Sequence, residues 1–204
     1  MVTSLHHKRI VVFASGSGSN AENIIQYFNK NKQAEVTHVF SNNKRAKVLK
    51  RAYNLDVNAI HFDRDSFYET NEVLNILIDI NPDLIVLAGF LWLFPQKILD
   101  KFPDKVINIH PALLPKYGGK GMYGMNVHKA VIENKEKTSG ITIHYVNQEY
   151  DEGKHIAQFE TKIGRYDSAE DVFDKVHSLE MQHFPKVINR ILFPERYDNY
   201  GKEE

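Results

Sequence analysis

The amino-acid sequence predicts an α/β protein: a Rossmann-like, mostly parallel sheet with helices on both faces, extended by antiparallel strands in its C-terminal part. Three observations predict it. The runs RIVVFA (9–14), apolar from Ile10 on, and LIVL (84–87) lack alternation, as strands buried on both faces require. Stretches with apolar residues at helical spacing separate such runs. From Gly140 onward the pattern changes to residues that alternate in polarity, the mark of half-exposed antiparallel strands.

Taken in order, Arg9–Ala14 forms the first strand and opens into Ser15-Gly16-Ser17-Gly18-Ser19-Asn20; Ile24, Ile25 and Phe28 then mark a helix. Val36–Phe40 is a second strand, followed by a basic helix over 44–53, and Val57–Phe62 a third. Phe67, Val73, Leu74, Leu77 and Ile78 define one helix that stops at Asn81-Pro82. After strand 84–87 the chain enters Ala88-Gly89-Phe90-Leu91-Trp92. Val106–His110 is a fifth strand, which Pro111 ends because it cannot donate to a ladder. Gly140–Val146 and His155–Ile163 pair as antiparallel strands. A closing helix starts at Ser168-Ala169-Glu170-Asp171, close to a capping box, and runs to about Phe184. The expectation is a single domain over 1–204, with a nucleotide-binding half over about 9–110 and a catalytic half over about 111–195.

Composition narrows the function. The chain has 204 residues, 42% hydrophobic and 25% charged, with 26 basic and 26 acidic side chains. A balanced charge argues against a general nucleic-acid or membrane-surface binder. The absence of cysteine removes disulfides, thiolate zinc sites and thiol nucleophiles. No run is long enough to span a bilayer, and Met1–Arg9 lacks the apolar centre of a signal peptide. These features point to a cytoplasmic protein without a metal.

Two motifs carry chemistry. Gly16-Ser17-Gly18-Ser19-Asn20, between a strand and a helix, combines close backbone approach with the positive end of a helix dipole, which suits a phosphate. It fits neither the Walker loop nor the full dinucleotide fingerprint. The alternative is a tight turn capped by Asn20. Asn108 and His110 lie two apart at a strand's carboxyl end and so share a face. An amide can donate to a developing oxyanion, and an imidazole can move a proton near neutral pH. Asp151, in Tyr150-Asp151-Glu152-Gly153, could support that histidine. Structural readings stay open for each: a strand-end histidine that only packs, and an Asp-Glu-Gly that only turns.

Together SGSGSN (15–20), VLAGFLWL (86–93), NIHPALLPKY (108–117), SGITIHYV (139–146) and the Asp-x-Gly at 151–153 resemble, in order, the phosphoribosylglycinamide formyltransferase family over about residues 9–190. The resemblance implies the formyltransferase fold and a formyl transfer in purine synthesis. The donor would be 10-formyltetrahydrofolate and the acceptor the amine of glycinamide ribonucleotide. It implies Asn108, His110 and Asp151 as catalytic residues, Gly18, Ser19 and Asn20 on the phosphate, and Glu180 on the sugar hydroxyls. It also implies Phe90, Leu91, Trp92, Leu93, His144 and Val146 around the folate. Partners would be these small molecules only, in a monomer or homodimer.

Three features depart from the family pattern. Trp92 and Ser66 stand where arginine is common, leaving open whether Arg64 substitutes for the latter. The glycine-rich stretch 117–128 is longer than usual and suggests a mobile flap, with His128 retained. The rivals are other members of the superfamily (tRNA, sugar-amine or hydrolytic enzymes) and a non-catalytic nucleotide- or folate-binding module. The SGSGSN loop disfavours the tRNA and sugar-amine members. A further basic C-terminal domain, expected of the tRNA enzyme, and a regulatory N-terminal domain, expected of the hydrolase, also have no place here. A binding module would not need all three of Asn108, His110 and Asp151.

Overall fold

The computed structural model describes residues 7–195. It divides into two compact units, 1–90 and 91–204. In the first, β1 (Lys8–Phe13), α1 (Ser19–Asn31), β2 (Ala34–Ser41), α2 (Lys47–Asn54), β3 (Asn58–His61), α3 (Glu72–Ile80) and β4 (Leu84–Leu87) alternate as expected. Their strands run parallel in the order β3-β2-β1-β4. Ile10, Val11, Val12 and Phe13 are all 0% exposed, so both faces of β1 are covered. That burial is why the run shows no alternation.

One expected helix is two elements. Residues Asp65–Glu69 form a single π-helical turn, and α3 starts only at Glu72. The break falls at Thr70, which is extended and whose hydroxyl accepts from the Glu72 N–H at 3.4 Å. At the start of the turn the Ser66 N–H donates to Asp63 Oδ1 at 2.9 Å, and its hydroxyl accepts from the Asp63 N–H at 3.1 Å. Such local side-chain bonds compete with a regular helix. Phe67 still packs inward, within an aromatic group of Phe13, Phe62 and Phe90.

The second unit contains α4 (Gln96–Lys101), β5 (Val106–His110), α5 (Met125–Glu133), β6 (Thr138–Tyr145), β7 (His155–Lys162) and α6 (Ala169–Leu192). Here β5 pairs with β6, and β6 with β7, both antiparallel. The fold class expected from the sequence is therefore present, parallel first and antiparallel after. Ser168 caps α6 through a reciprocal capping box with Asp171. The helix does not end near Phe184, however; it continues through Pro185 to Leu192. Proline supplies no N–H to the ladder, but Phe184, Pro185, Val187, Ile188 and Leu192 are buried, and that packing outweighs the missing bond. Sequence reading also missed α4 and α5, the latter because glycines precede it.

The glycine loop is shaped by packing within the first unit. Gly18 has φ +78°, and a Cβ there would lie 2.4 Å from Val48 Cγ2. The Val48 N–H donates to Gly16 O at 3.2 Å, tying α2 to the loop. Gly18 is thus needed for both its backbone conformation and its contact with α2. Gly18→Ala is expected to lower stability by about 1–3 kcal/mol, measured as a shift in the urea midpoint. A midpoint equal to wild type would show that the loop is not held against Val48.

Candidate active site

The site grows from the end of β5. Asn108 and His110 project from one face of the strand, and antiparallel register sets Asn108 opposite His144 and His110 opposite Thr142 on β6. Asp151 reaches the same place from the turn between β6 and β7. Its Oδ1 accepts from Asn108 Nδ2 at 3.4 Å, and its Oδ2 lies 3.3 Å from His110 Nδ1. The Gly119 N–H donates to Oδ2 at 2.9 Å. The structure therefore gathers all three residues singled out at 108, 110 and 151.

The turn that delivers Asp151 has strict requirements. Asp151 adopts φ +60°, a left-handed conformation that aspartate tolerates better than most residues. Two residues on, a Cβ at Gly153 would come 1.6 Å from the Tyr145 carbonyl oxygen. The Asp-x-Gly spacing thus has a steric cause: only glycine lets the turn lie this close to the end of β6.

Orientation of His110 comes from a residue that sequence reading did not assign. Its Nε2–H donates to the Tyr117 carbonyl at 2.7 Å, which turns Nδ1 toward Asp151. Both neighbours are acceptors, so only a ring carrying both protons donates to each. His144 was expected at the folate edge. Its side chain is 2% exposed and joins the cluster. Its Nδ1–H donates to Tyr145 O at 2.9 Å, leaving Nε2 to accept from Asn108 Nδ2 at 3.2 Å. His144 Nε2 lies 3.7 Å from Asp151 Oδ1. The cross-strand pairing of Asn108 with His144 was the signal that could have placed it.

Burial alone would raise the Asp151 carboxyl. The hydrogen bond and charge of His110 and the Gly119 N–H outweigh it and hold the group well below the usual carboxylate range. Asp151 is therefore an anion at neutral pH.

The remaining candidates separate by unit. Gly18 is buried at the start of α1, with Ser19 and Asn20 half-buried in its first turn. The ring of Phe90 lies 5.5 Å from that of Phe13 and 5.6 Å from that of Phe67, within the first unit. In the second, Leu91 is 47% exposed, while Trp92, Leu93 and Val146 are half-buried. Arg64 lies over the Tyr68 ring at 4.8 Å. The glycine-rich stretch is only partly a loop: from Met125 it is α5, and His128 is 1% exposed with Nδ1 unpaired. Burial lowers the His128 pKa. Glu180, on α6, pairs with His177 Nδ1 at 3.1 Å. Among the described residues no group could hold a metal ion, and no helix is long and apolar enough to cross a membrane.

The His177–Glu180 pair has a measurable consequence. The hydrogen bond from His177 to Glu180 raises the imidazole pKa more than partial burial lowers it. A raised folded-state pKa gives stability that is complete below the unfolded value, about 6.5, and lost as pH rises through the folded value. The stability difference between wild type and His177→Gln should then be largest near pH 6 and shrink toward pH 8 in urea titrations. A difference independent of pH would exclude the ion pair.

Comparison with known proteins identifies the family. Residues 8–188 match the formyl transferase family. The phosphoribosylglycinamide formyltransferase of Bacillus subtilis is 33% identical over 190 residues, covering 91% of this chain and 95% of the relative. The chloroplastic enzyme of Arabidopsis thaliana is 34% identical over 190 residues, and the match covers 90% of this chain but only 65% of the plant protein. Among solved structures, glycinamide ribonucleotide transformylase 1 from Symbiobacterium toebii superposes with a TM-score of 0.83 at 30% identity, covering 92% of this chain and 88% of that one. The phosphoribosylglycinamide formyltransferase from Bacillus halodurans gives 0.81 at 32% identity, covering 91% and 95%. The chain belongs to the formyl transferase family, among its phosphoribosylglycinamide formyltransferases.

Proposed function

We propose that the protein transfers the formyl group of 10-formyltetrahydrofolate to the amine of glycinamide ribonucleotide, releasing formylglycinamide ribonucleotide and tetrahydrofolate. The observation that carries this reading is the convergence of Asn108, His110 and Asp151, with both carboxylate oxygens engaged. An amide and an imidazole beside a buried anion suit the addition of an amine to an acyl carbon.

The amine attacks the formyl carbon and builds negative charge on its oxygen. Asn108 Nδ2–H and the Nδ1–H of His110, both directed at Asp151, turn from the carboxylate to that oxygen and donate to it as its charge develops. Collapse of the intermediate breaks the bond to the folate nitrogen, which leaves with a proton. The attacking nitrogen loses a proton in turn, taken up through water ordered by Asp151, so the exchange balances. Asp151 stabilises the His110 imidazolium and stays ionised throughout, consistent with its depressed pKa.

Binding roles follow from local chemistry. The first-turn amides of α1 with Gly18, Ser19 and Asn20 provide donors and a positive dipole end for the phosphate. Glu180 accepts from the sugar hydroxyls. Leu91, Trp92, Leu93 and Val146 offer apolar surface for the pterin, and in the first unit Phe90, packed on Phe13, offers more.

Supplying both substrates and following tetrahydrofolate formation tests the reaction; equal turnover without the ribonucleotide would mean that water is the acceptor. Asp151→Asn and His110→Ala should each lower kcat by about 10²–10⁴, while calorimetric affinity for the ribonucleotide stays near wild type. A variant retaining wild-type kcat would remove that residue from the mechanism.

A further inference from the structure

Residues 111–119 form a strap that leaves the end of β5 and returns over the cluster. Two of its backbone groups act on catalytic side chains: the Tyr117 carbonyl accepts from His110 Nε2–H, and the Gly119 N–H donates to Asp151. The strap must hold its place for His110 to keep its orientation. Behind Ala112–Tyr117 lies a cavity of about 310 Å³, also bordered by Val131, Glu136 and Ser139.

Lys116 Nζ and the Tyr117 hydroxyl donate to Glu136 Oε1 at 2.8 and 3.0 Å near the far end of the strap, and at 112–114 a set of four hydrogen bonds from two side chains fixes it. Thr142 on β6 and Gln158 on β7 are register partners. The Thr142 hydroxyl donates to Ala112 O at 2.7 Å and accepts from the Leu114 N–H at 3.0 Å. Gln158 Nε2 donates to Leu114 O at 3.0 Å and to Thr142 Oγ1 at 2.9 Å. Thr142 is 0% exposed, and this geometry uses its one proton and both its lone pairs.

We propose that Gln158, with Thr142, is a positioning residue for the formyl transfer: the pair clamps the strap at 112–114 and thereby sets the Tyr117 carbonyl that orients His110. Three of the four bonds run from sheet side chains to strap backbone. The strands have their own ladder and do not need them to pair. Gln158 touches neither His110 nor Asp151, so its effect passes through the strap. Loss of the clamp moves the acceptor of His110 Nε2, which turns the Nδ1 edge away from Asp151. A shift of about 1 Å in such a group costs on the order of 10²-fold in rate.

The inference rests on the proposed reaction, and the tests separate the two. Steady-state kinetics of the full chain compare Gln158→Met, Thr142→Val and Thr142→Ser. The first two are expected to lower kcat by about 10²-fold with both KM values within about threefold of wild type, because ground-state binding is not what they disturb. Thr142→Ser keeps the hydroxyl and should restore wild-type kcat. Gln158→Met combined with Thr142→Val should cost little more than either alone, since the two side chains act as a unit. ¹⁵N resonances of the His110 ring, followed with pH, should move in Gln158→Met and Thr142→Val and not in Thr142→Ser. Wild-type kcat in Gln158→Met, an equal loss in Thr142→Ser and Thr142→Val, or unchanged His110 resonances would each overturn the clamp. If Gln158→Met does not fold, the Thr142 pair decides the question. Absence of turnover in wild type would end the reaction proposal, while the ring resonances would still report on the clamp.

Discussion

The structure around the site depends on one buried carboxylate. Asp151 has a side chain 11% exposed, and an anion so placed is costly unless each oxygen has a partner. Its partners are Asn108 and His110 at the end of β5 and Gly119 in the strap, and Asn108 ties in a third stretch by donating to His144 on β6. Satisfying one charge therefore fixes the relative positions of all three. The same constraint explains the local backbone, because the turn must place Asp151 at positive φ and press Gly153 against Tyr145 to bring the carboxylate in. A neutral side chain at 151 would relieve the charge but would also leave the doubly donating form of His110 without its acceptor.

Each unit contributes a different kind of rigidity. In the first, the glycine loop is bounded by β1, whose residues are wholly buried, and by α2, which contacts Gly18 through Val48. Such a loop presents its amides without rearrangement, which suits recognition of a fixed group such as a phosphate. In the second, hydrogen bonds rather than apolar packing hold the reactive groups. His110 and His144 are nearly inaccessible, yet each ring nitrogen has a polar neighbour. Groups that carry developing charge are best held by oriented dipoles in a site that excludes water.

Much of this was legible in the sequence. The parallel strands announced themselves because burial on both faces leaves an apolar run, and β4 and β5 fall at the expected residues. Asn108 and His110 were recognisable as a pair because a strand repeats every two residues. The misses share a cause, which is that tertiary contacts overrode local signals. Pro185 should end a helix and does not, because its neighbours are buried. The glycines before Met125 hid a helix whose inward face includes Val127 and His128. The roles of Tyr117 and Gly119 are played by backbone atoms, which no side-chain pattern encodes. His144 required strand register, and register is set by pairing between segments far apart in the chain.

The cluster also constrains where a nucleophile can come from. The hydroxyl in register with His110 belongs to Thr142, which an acyl-enzyme mechanism would call upon first. Its proton is committed to Ala112 O, and its lone pairs to Leu114 N–H and Gln158 Nε2. A hydroxyl saturated in this way has no free pair with which to attack, and His110 already directs its nitrogens to Tyr117 and Asp151. The chain contains no cysteine to take its place. A site with oxyanion donors, a proton carrier and its nearest register hydroxyl committed elsewhere fits a reaction in which the acceptor brings the nucleophile. The amine of the proposed ribonucleotide acceptor meets that requirement, so the same residues that hold the fold together at β5 support the proposal of direct transfer over a covalent intermediate.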